Sequence, residues 1–425
     1  MIKELRNLGE MLKNSTYLAD LKEQNDLLRQ KMKQQKDNTQ NHYLQRQYFL
    51  LKPQQEMKKW VSEHYEMRHN IVTDVYEYRH QNEACWTIID RRQLNTIANE
   101  VADAGIFCLD SQLKRYVESA CSIDYHPVTE YLEKIRGSWD GKTDYVDDLL
   151  RRISTDPYFL RMGRIWLRAV VAQWMHWDDK HANAVMLLLV SEQQGMQKST
   201  LLRELMPVSL RDYYTDDFSL SSKGNAQRKM VEFALINMDE FDKEPVRKMA
   251  ELKTLMQSMK PSFIGAYKKN FNRLPRIASF VGTSNRLQLL SDPTGSRRFL
   301  VVEPEGKIQV DNICHDQLYA QLIEEVESGE QYFFTKEDEA IMEIYNKKYR
   351  KLTAEELLIT KFFREAIDGE KCWKLTASEI LKHLDKHDHT LMRTISAIAM
   401  GRILNGLGWK YEHTEHGNLY HVVKL

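Results

Sequence analysis

The stretch Val185-Met-Leu-Leu-Leu-Val190-Ser-Glu-Gln-Gln-Gly195-Met-Gln-Lys198-Ser-Thr200 decides the fold class. Its unbroken apolar run, Val185 to Val190, predicts a strand buried on both faces of a parallel sheet. The run enters a polar loop with one glycine, then Lys-Ser-Thr, and Leu201 to Leu205 predicts a helix behind it. Strand, loop, Lys-Ser, helix is the layout of a phosphate-binding loop. In such a loop, backbone N–H groups and the helix N-terminus hold phosphates. The lysine reaches the outer phosphate oxygens and the next hydroxyl binds Mg²⁺. Gln194, Gly195, Met196, Gln197, Lys198, Ser199 and Thr200 are therefore the candidate nucleotide-binding residues. The loop departs from G-x-x-x-x-G-K-[ST], because Glu192 and Gln197 stand where glycines are usual. Glycine at such positions permits unusual φ and close approach of backbone to phosphate. Taken alone, Lys198-Ser-Thr could also open an ordinary surface helix.

Further along, Phe233 to Met238 is a second apolar run, ending in Asp239-Glu240. A buried strand that delivers two acids to its C-terminal end suits the other half of an ATPase site. Asp239 would hold Mg²⁺ with Ser199, and Glu240 would orient or activate the attacking water. The alternative is a strand that runs out into a solvated acidic loop, with Asp242 and Glu244 part of it. A third run, Ile277 to Val281, ends in Gly282-Thr-Ser-Asn285, which places Asn285 to touch the outer phosphate or the water. Then comes Asp292-Pro-Thr-Gly-Ser-Arg297-Arg298-Phe299. Paired arginines before a β run suit a finger that reaches a neighbouring subunit's nucleotide. Alternatively they clamp Asp292 or Glu303. Between the acid pair and Asn285 lies Phe263-Ile-Gly-Ala-Tyr-Lys268-Lys269-Asn270-Phe-Asn-Arg273, two strand-like arms around a lysine tip. That tip is the candidate DNA contact, although a lone basic turn is more often simply solvated.

The flanks carry less chemistry. Residues 1–60 read as a polar helical arm, with Leu18, Leu21, Asn25, Leu28 and Met32 spaced as a short coiled-coil seam. Residues 61–154 read as an α/β adaptor, with a strand over Ile71 to Tyr78 and helices over Arg91 to Ala104 and Asp110 to Ala120. Residues 155–345 hold the motifs, starting with an amphipathic helix from Tyr158 to Trp174. Residues 350–425 read as a winged helix, with helices at Ala354 to Ile367, Thr376 to Leu384 and Ser396 to Asn405. Two strands, Trp409 to His413 and Leu419 to Val423, complete it.

Bulk composition bounds the rest. Lys+Arg and Asp+Glu both number 61 in 425 residues, so no global basic field advertises nucleic acid and any contact must be local. Cys85, Cys108, Cys121, Cys314 and Cys372 are scattered without a CxxC pair, which argues against a zinc site and a disulfide framework. With no apolar run of spanning length, a cytoplasmic protein with no membrane partner is expected.

In this order the motifs resemble the virulence-associated protein E family, whose ATPase domain is related to superfamily 3 helicases. The residues that carry the resemblance are Trp139-Asp-Gly-Lys142, Gln194 to Thr200, Asn237-Met-Asp-Glu-Phe241, Ala278 to Asn285 and Asp292 to Phe299, within residues 125–345. The resemblance implies an AAA+-type P-loop αβα sandwich and a hexameric ring with ATP and Mg²⁺ bound between subunits. In the viral relatives a hairpin before the sensor strand carries a lysine tip into the pore, where Lys268 and Lys269 fall. Their arginine finger lies where Arg297 and Arg298 stand. The implied work is ATP-driven translocation on DNA, single-stranded rather than duplex, in replication of a phage or mobile element. No primase pattern precedes the motifs, so a primase or other replication partner would be a separate chain. Two rival readings stand beside it: an ATP-dependent oligomeric switch without unwinding, and a nucleic-acid scaffold with a degenerate loop, motivated by Glu192 and Gln197.

Overall fold

The computed structural model describes residues 15–220, 223–264, 271–272, 274–290, 296–367, 369–415 and 417–425. Lys268 and Lys269 lie outside them. The chain divides into two units, Met1–His126 and Pro127–Leu425.

The first unit begins with α1 (Ser15–His64), a helix of 50 residues. Leu21, Leu28 and Met32 of the expected seam are exposed along it, whereas its last turns bury Met57 and Val61. Those two residues pack against a sheet of order β3-β2-β1-β4. The strands are β1 (Tyr65–Asn70), β2 (Val75–His80), β3 (Thr87–Ile88) and β4 (Ile123–Tyr125). The same core takes Ile97 and Val101 from α2 (Arg91–Asp103), and Leu113 and Val117 from α3 (Asp110–Val117). The single strand expected over Ile71 to Tyr78 is instead a turn followed by β2, the second arm of a hairpin. Asn70 forces the reversal: its Oδ1 accepts from the backbone N–H of Val72 and Thr73, and Asp74 takes φ 60°. Asn and Asp favour such turns for this reason.

The second unit opens with α4 (Pro127–Ile135), α5 (Tyr145–Arg151) and α6 (Pro157–Met175). Asp156 caps α6 through the N–H of Tyr158, and Pro157 takes the first turn, where its missing N–H costs nothing. Five strands then form a parallel sheet: β5 (Met186–Val190), β6 (Tyr214–Thr215), β7 (Leu235–Met238), β10 (Ser279–Ser284) and β11 (Phe299–Val302). Their order is β11-β5-β10-β7-β6, so β10 lies between β5 and β7. All of β5, β7, β10 and β11 is buried; β5 and β11 are wholly apolar, whereas β7 buries Asn237 and β10 buries Ser279, Thr283 and Ser284.

Helices cover both faces. On one, Met186, Leu188, Ile236, Phe280 and Val301 meet Ala226 and Met230 of α8 (Lys223–Glu232) and Leu252, Leu255 and Met256 of α9 (Met249–Gln257). On the other run α6, the short α7 (Lys198–Glu204) and α10 (His315–Glu327), which bury Trp166, Trp174, Leu201 and Tyr319. Trp166 Nε1 donates to Val185 O and Trp174 Nε1 to Ala234 O, so both indoles bury their rings without orphaning a donor. Arg276, wholly buried, ties the sheet's lower end together. Its guanidinium donates to the carbonyls of Ala278, Met256 and Asn183, and burial pulls its pKa down to about 9.

Before β10, β8 (Phe263–Ile264) pairs antiparallel with β9 (Phe271–Asn272), the stem of the hairpin expected around the lysine tip. Beyond β11, α11 (Lys336–Asn346) starts from a capping box of Thr335 and Asp338. The C-terminal stretch holds α12 (Ala354–Phe362), β12 (Phe363–Glu365), β13 (Trp373–Thr376), α13 (Ala377–Asp385), α14 (His389–Met392), α15 (Ala397–Gly406), β14 (Tyr411–Thr414) and β15 (Gly417–Lys424). The helix expected to reach Ile367 stops at Phe362. Phe363 turns extended and pairs with Lys424, burying its ring in the local core. The two expected strands therefore belong to a sheet of four, β12-β15-β13 with β14 on β15. Among the described residues no helix is long and apolar enough to cross a membrane.

Candidate nucleotide-binding site

Parallel strands bring their C-terminal ends to one edge, and the polar residues of three motifs meet there. β5 delivers the loop Ser191–Gln197 and the first turn of α7. Ser191 N–H donates to Ser284 O and Gln193 N–H to Ser191 Oγ, so the loop's first half is pinned to β10 and to itself. Gly195 takes φ +76°, where a side chain would be strained. Met196 turns its side chain inward and its carbonyl accepts from Ile308, while Glu192, Gln194 and Thr200 stay exposed.

Gln197 stands at the usual second glycine position and adopts the conformation glycine would have, φ 62° and ψ 28°. The loop shape is kept, then, but by a residue for which that region is costly.

Lys198 is the centre of the arrangement. It is only 7% exposed, and its Nζ donates to Ser191 O at 3.2 Å and Asn285 Oδ1 at 3.0 Å. Both acceptors are neutral, and the ammonium makes no ion pair within 4.0 Å among the described residues. Burial pulls its pKa below the ordinary lysine value, and the nearby Asp239 opposes that shift. A buried cation with no carboxylate within 4.0 Å among the described residues suits an incoming phosphate oxygen.

Asp239, at the end of β7, accepts from Ser199 Oγ at 3.0 Å and from Thr283 Oγ1 on the same carboxylate oxygen. Ser199 and Asp239 together could hold a divalent cation, a hard oxygen pair of the kind Mg²⁺ takes. Glu240 follows in the left-handed region, φ 50°, with its carboxylate in an ion pair to Lys243. Asn285 meets Lys198 rather than standing alone at the strand end. Sequence reasoning passed over Thr283, although the two-residue period of β10 puts it on the same side as Asn285. It also missed Ser284, which donates to Asp242 Oδ1 at 3.0 Å while Arg286 pairs with that carboxylate at 3.5 Å.

The other candidates are elsewhere. Arg297 and Arg298 sit immediately before β11, whose Phe299 is level with Met186 at the start of β5. They therefore belong to the opposite end of the sheet, about 13 Å below Val190 at about 3.3 Å per residue. Arg297 pairs with Glu339 at 3.1 Å, and neither Asp292 nor the lysine tip is among the described residues.

The virulence-associated protein E-like domain family matches residues 132–351, and a domain of unknown function described from a B. theta gene matches residues 352–422. No curated protein matches. Among solved structures, the apo structure of the NrS-1 C-terminal region is 13% identical, covering 88% of this chain and 99% of that one, at a TM-score of 0.42. A structure described as SCCmec type IV Cch, an active helicase, is 11% identical, covering 80% and 69%, at a TM-score of 0.28. Likenesses this loose leave the chemistry to be argued from this chain's own residues. The family match spans more than half the chain, and this protein belongs to the virulence-associated protein E-like family.

Proposed function

We propose that the chain is an ATP-driven DNA translocase, helicase-like, working as a ring in the replication of a phage or mobile element. The observation that carries this is the convergence of Lys198, Ser199, Asp239, Thr283 and Asn285 at one end of a parallel sheet. The AAA+-type sandwich reading is supported by the helices on both faces and by β10 lying between the two site strands. In residues 350–425, α13, α14 and α15 are followed by the antiparallel β14–β15 hairpin, which supports the winged-helix reading, with α12, β12 and β13 preceding them.

On this reading Gln194 to Thr200 wrap the phosphates, and Lys198 leaves Asn285 and Ser191 for the outer phosphate oxygens. Ser199 and Asp239 would hold a Mg²⁺, which would supply positive charge against the phosphate oxygens. Thr283 fixes the rotamer of Asp239 by its hydrogen bond. Asn285, released from Lys198, is left to hold the attacking water, and Glu240 takes up that water's proton once freed from Lys243. Arg297 or Arg298 reaches the nucleotide of the next subunit. Lys268 and Lys269 meet single-stranded DNA at the hairpin tip.

One observation favours a slower device. Glu240 is paired with Lys243 rather than turned free toward Lys198, so its carboxylate has to leave that exposed ion pair to act as a base. An oligomeric switch that binds ATP and hydrolyses it rarely would keep such a lock. ATP turnover with and without single-stranded DNA, wild type beside Lys198→Ala, separates the two. DNA-stimulated turnover that the variant lacks supports the motor. ATP binding without turnover sinks it in favour of the switch.

A further inference from the structure

The residue that shapes the arginine turn lies outside it. α11 ends on Asn346, whose side chain is 1% exposed. Its Nδ2 donates to Ser296 O and to Phe299 O, both at 2.7 Å. Those carbonyls bracket Arg297 and Arg298, one on either side of the pair. An amide nitrogen carries two N–H donors, and here both are committed to the turn. The Oδ1 is buried and has no hydrogen-bond partner, so the side chain is kept for its donors alone. Seven residues earlier, two turns back on the same helix face, Glu339 pairs with Arg297. A single face of α11 thus grips both the backbone of the turn and one of its guanidinium groups.

We infer that Asn346 is the positioning residue of the arginine pair, and that its effect is felt in the neighbouring subunit's nucleotide site rather than in its own. The inference rests on the arginine-finger reading proposed above. The physical case is one of leverage. An arginine is long and has many rotamers, so its reach is only as well defined as the backbone that carries it. The turn Ser296–Arg298 is a single 3₁₀ turn, and the two amide hydrogen bonds tie its backbone to α11. Misplacing a catalytic group by about 1 Å can cost on the order of 100-fold in rate. A finger is used only while charge builds on the phosphate, so its loss should fall on kcat and leave nucleotide binding alone.

The test uses the full chain with Mg²⁺ and ATP. Asn346→Leu keeps the volume and removes the donors. Its kcat should fall on the order of 100-fold, with KM for ATP unchanged within about twofold, because its own Lys198, Ser199 and Asp239 are intact. Mixing then shows where the loss acts. Lys198→Ala chains have a dead site but sound arginines, and Asn346→Leu chains the reverse. In a random 1:1 mixture roughly a quarter of interfaces pair a sound arginine turn with a sound site, and turnover should return in that proportion. The doubly substituted Arg297→Ala, Arg298→Ala chain mixed with Lys198→Ala is the control. An Asn346→Leu chain that works like wild type overturns the inference. So does one that Lys198→Ala cannot rescue while the control pair is rescued, since Asn346 would then be supporting its own chain's fold. If the control pair is not rescued either, the arginine-finger reading itself fails and takes the inference with it. Should the leucine variant not assemble, Asn346→Ser, which offers one donor in place of two, carries the same mixing test.

Discussion

Gln197→Gly should make the protein more stable, against the usual direction for a substitution to glycine. Gln197 sits at φ 62° and ψ 28°, in the left-handed region. There a Cβ crowds the following carbonyl, at about 1–2 kcal/mol for an L-residue. Glycine has no such cost, but its freer unfolded chain returns about 0.5–1 kcal/mol. The balance is a gain of about 0.5–1 kcal/mol. Gln197 is half-buried and no side-chain hydrogen bond caps the helix from it, so little else is lost. The gain would raise the melting temperature of a unit this size by about 1–3 °C. The comparison that isolates the cause is Gln197→Ala, which removes the same side-chain atoms and keeps the Cβ. Urea melts of the three proteins should rank glycine above wild type, with alanine no better than wild type. Equal midpoints for the glycine and alanine variants would refute the strain argument.

Two further outcomes follow from the structure. Gly282→Ala should cost about 1–3 kcal/mol in a denaturant melt, because its Cβ would lie 2.8 Å from Met238 O and 2.6 Å from Met186 Cε; backbone cannot swing aside. Asp140 accepts from the N–H groups of Thr143 and Lys142 and from Tyr145, which holds its pKa down to about 2. A depressed carboxylate stabilises the fold above its unfolded pKa, and that contribution disappears as pH falls through the folded value. The difference between wild type and Asp140→Asn should therefore be constant at neutral pH and shrink between about pH 4 and pH 2, measured by melts across that range.

What the sequence disclosed depended on how each signal is encoded. β5, β7 and β10 were legible because burial on both faces concentrates apolar residues in them, and their exits were legible because Asp239 and Asn285 follow at once and Lys198 follows across one short loop. The hairpin at Asn70–Val75 was not, since an apolar Ile-Val pair inside the turn mimics strand and only the Asn70 side chain tells the two apart. The end of α12 was hidden in the same way. Phe363 is as good a helix residue as a strand residue until Lys424, sixty-one positions on, offers it a partner. Asn346 was invisible for a further reason. Its importance lies in two backbone carbonyls some fifty residues away, and backbone partners leave no trace in residue identity.

The sheet's polarity bears on assembly. Lys198, Ser199, Asp239 and Asn285 are at the C-terminal ends of their strands, whereas the arginine pair precedes β11 and the β8–β9 hairpin leads into the start of β10. Within one subunit these groups are separated by the height of the sheet, about 13 Å, with a filled core between. No side-chain rotation closes that gap. A nucleotide touched by both Lys198 and the arginine pair must lie between two copies of the chain. Turnover per chain should then fall as the protein is diluted through its assembly range, while ATP binding through Lys198 and Ser199 weakens much less. Turnover measured beside sedimentation over the same dilution tests this. A specific activity that stays constant into concentrations where only monomer sediments would mean that one subunit completes its own site, and Arg297 would be left as a tie to Glu339 of α11.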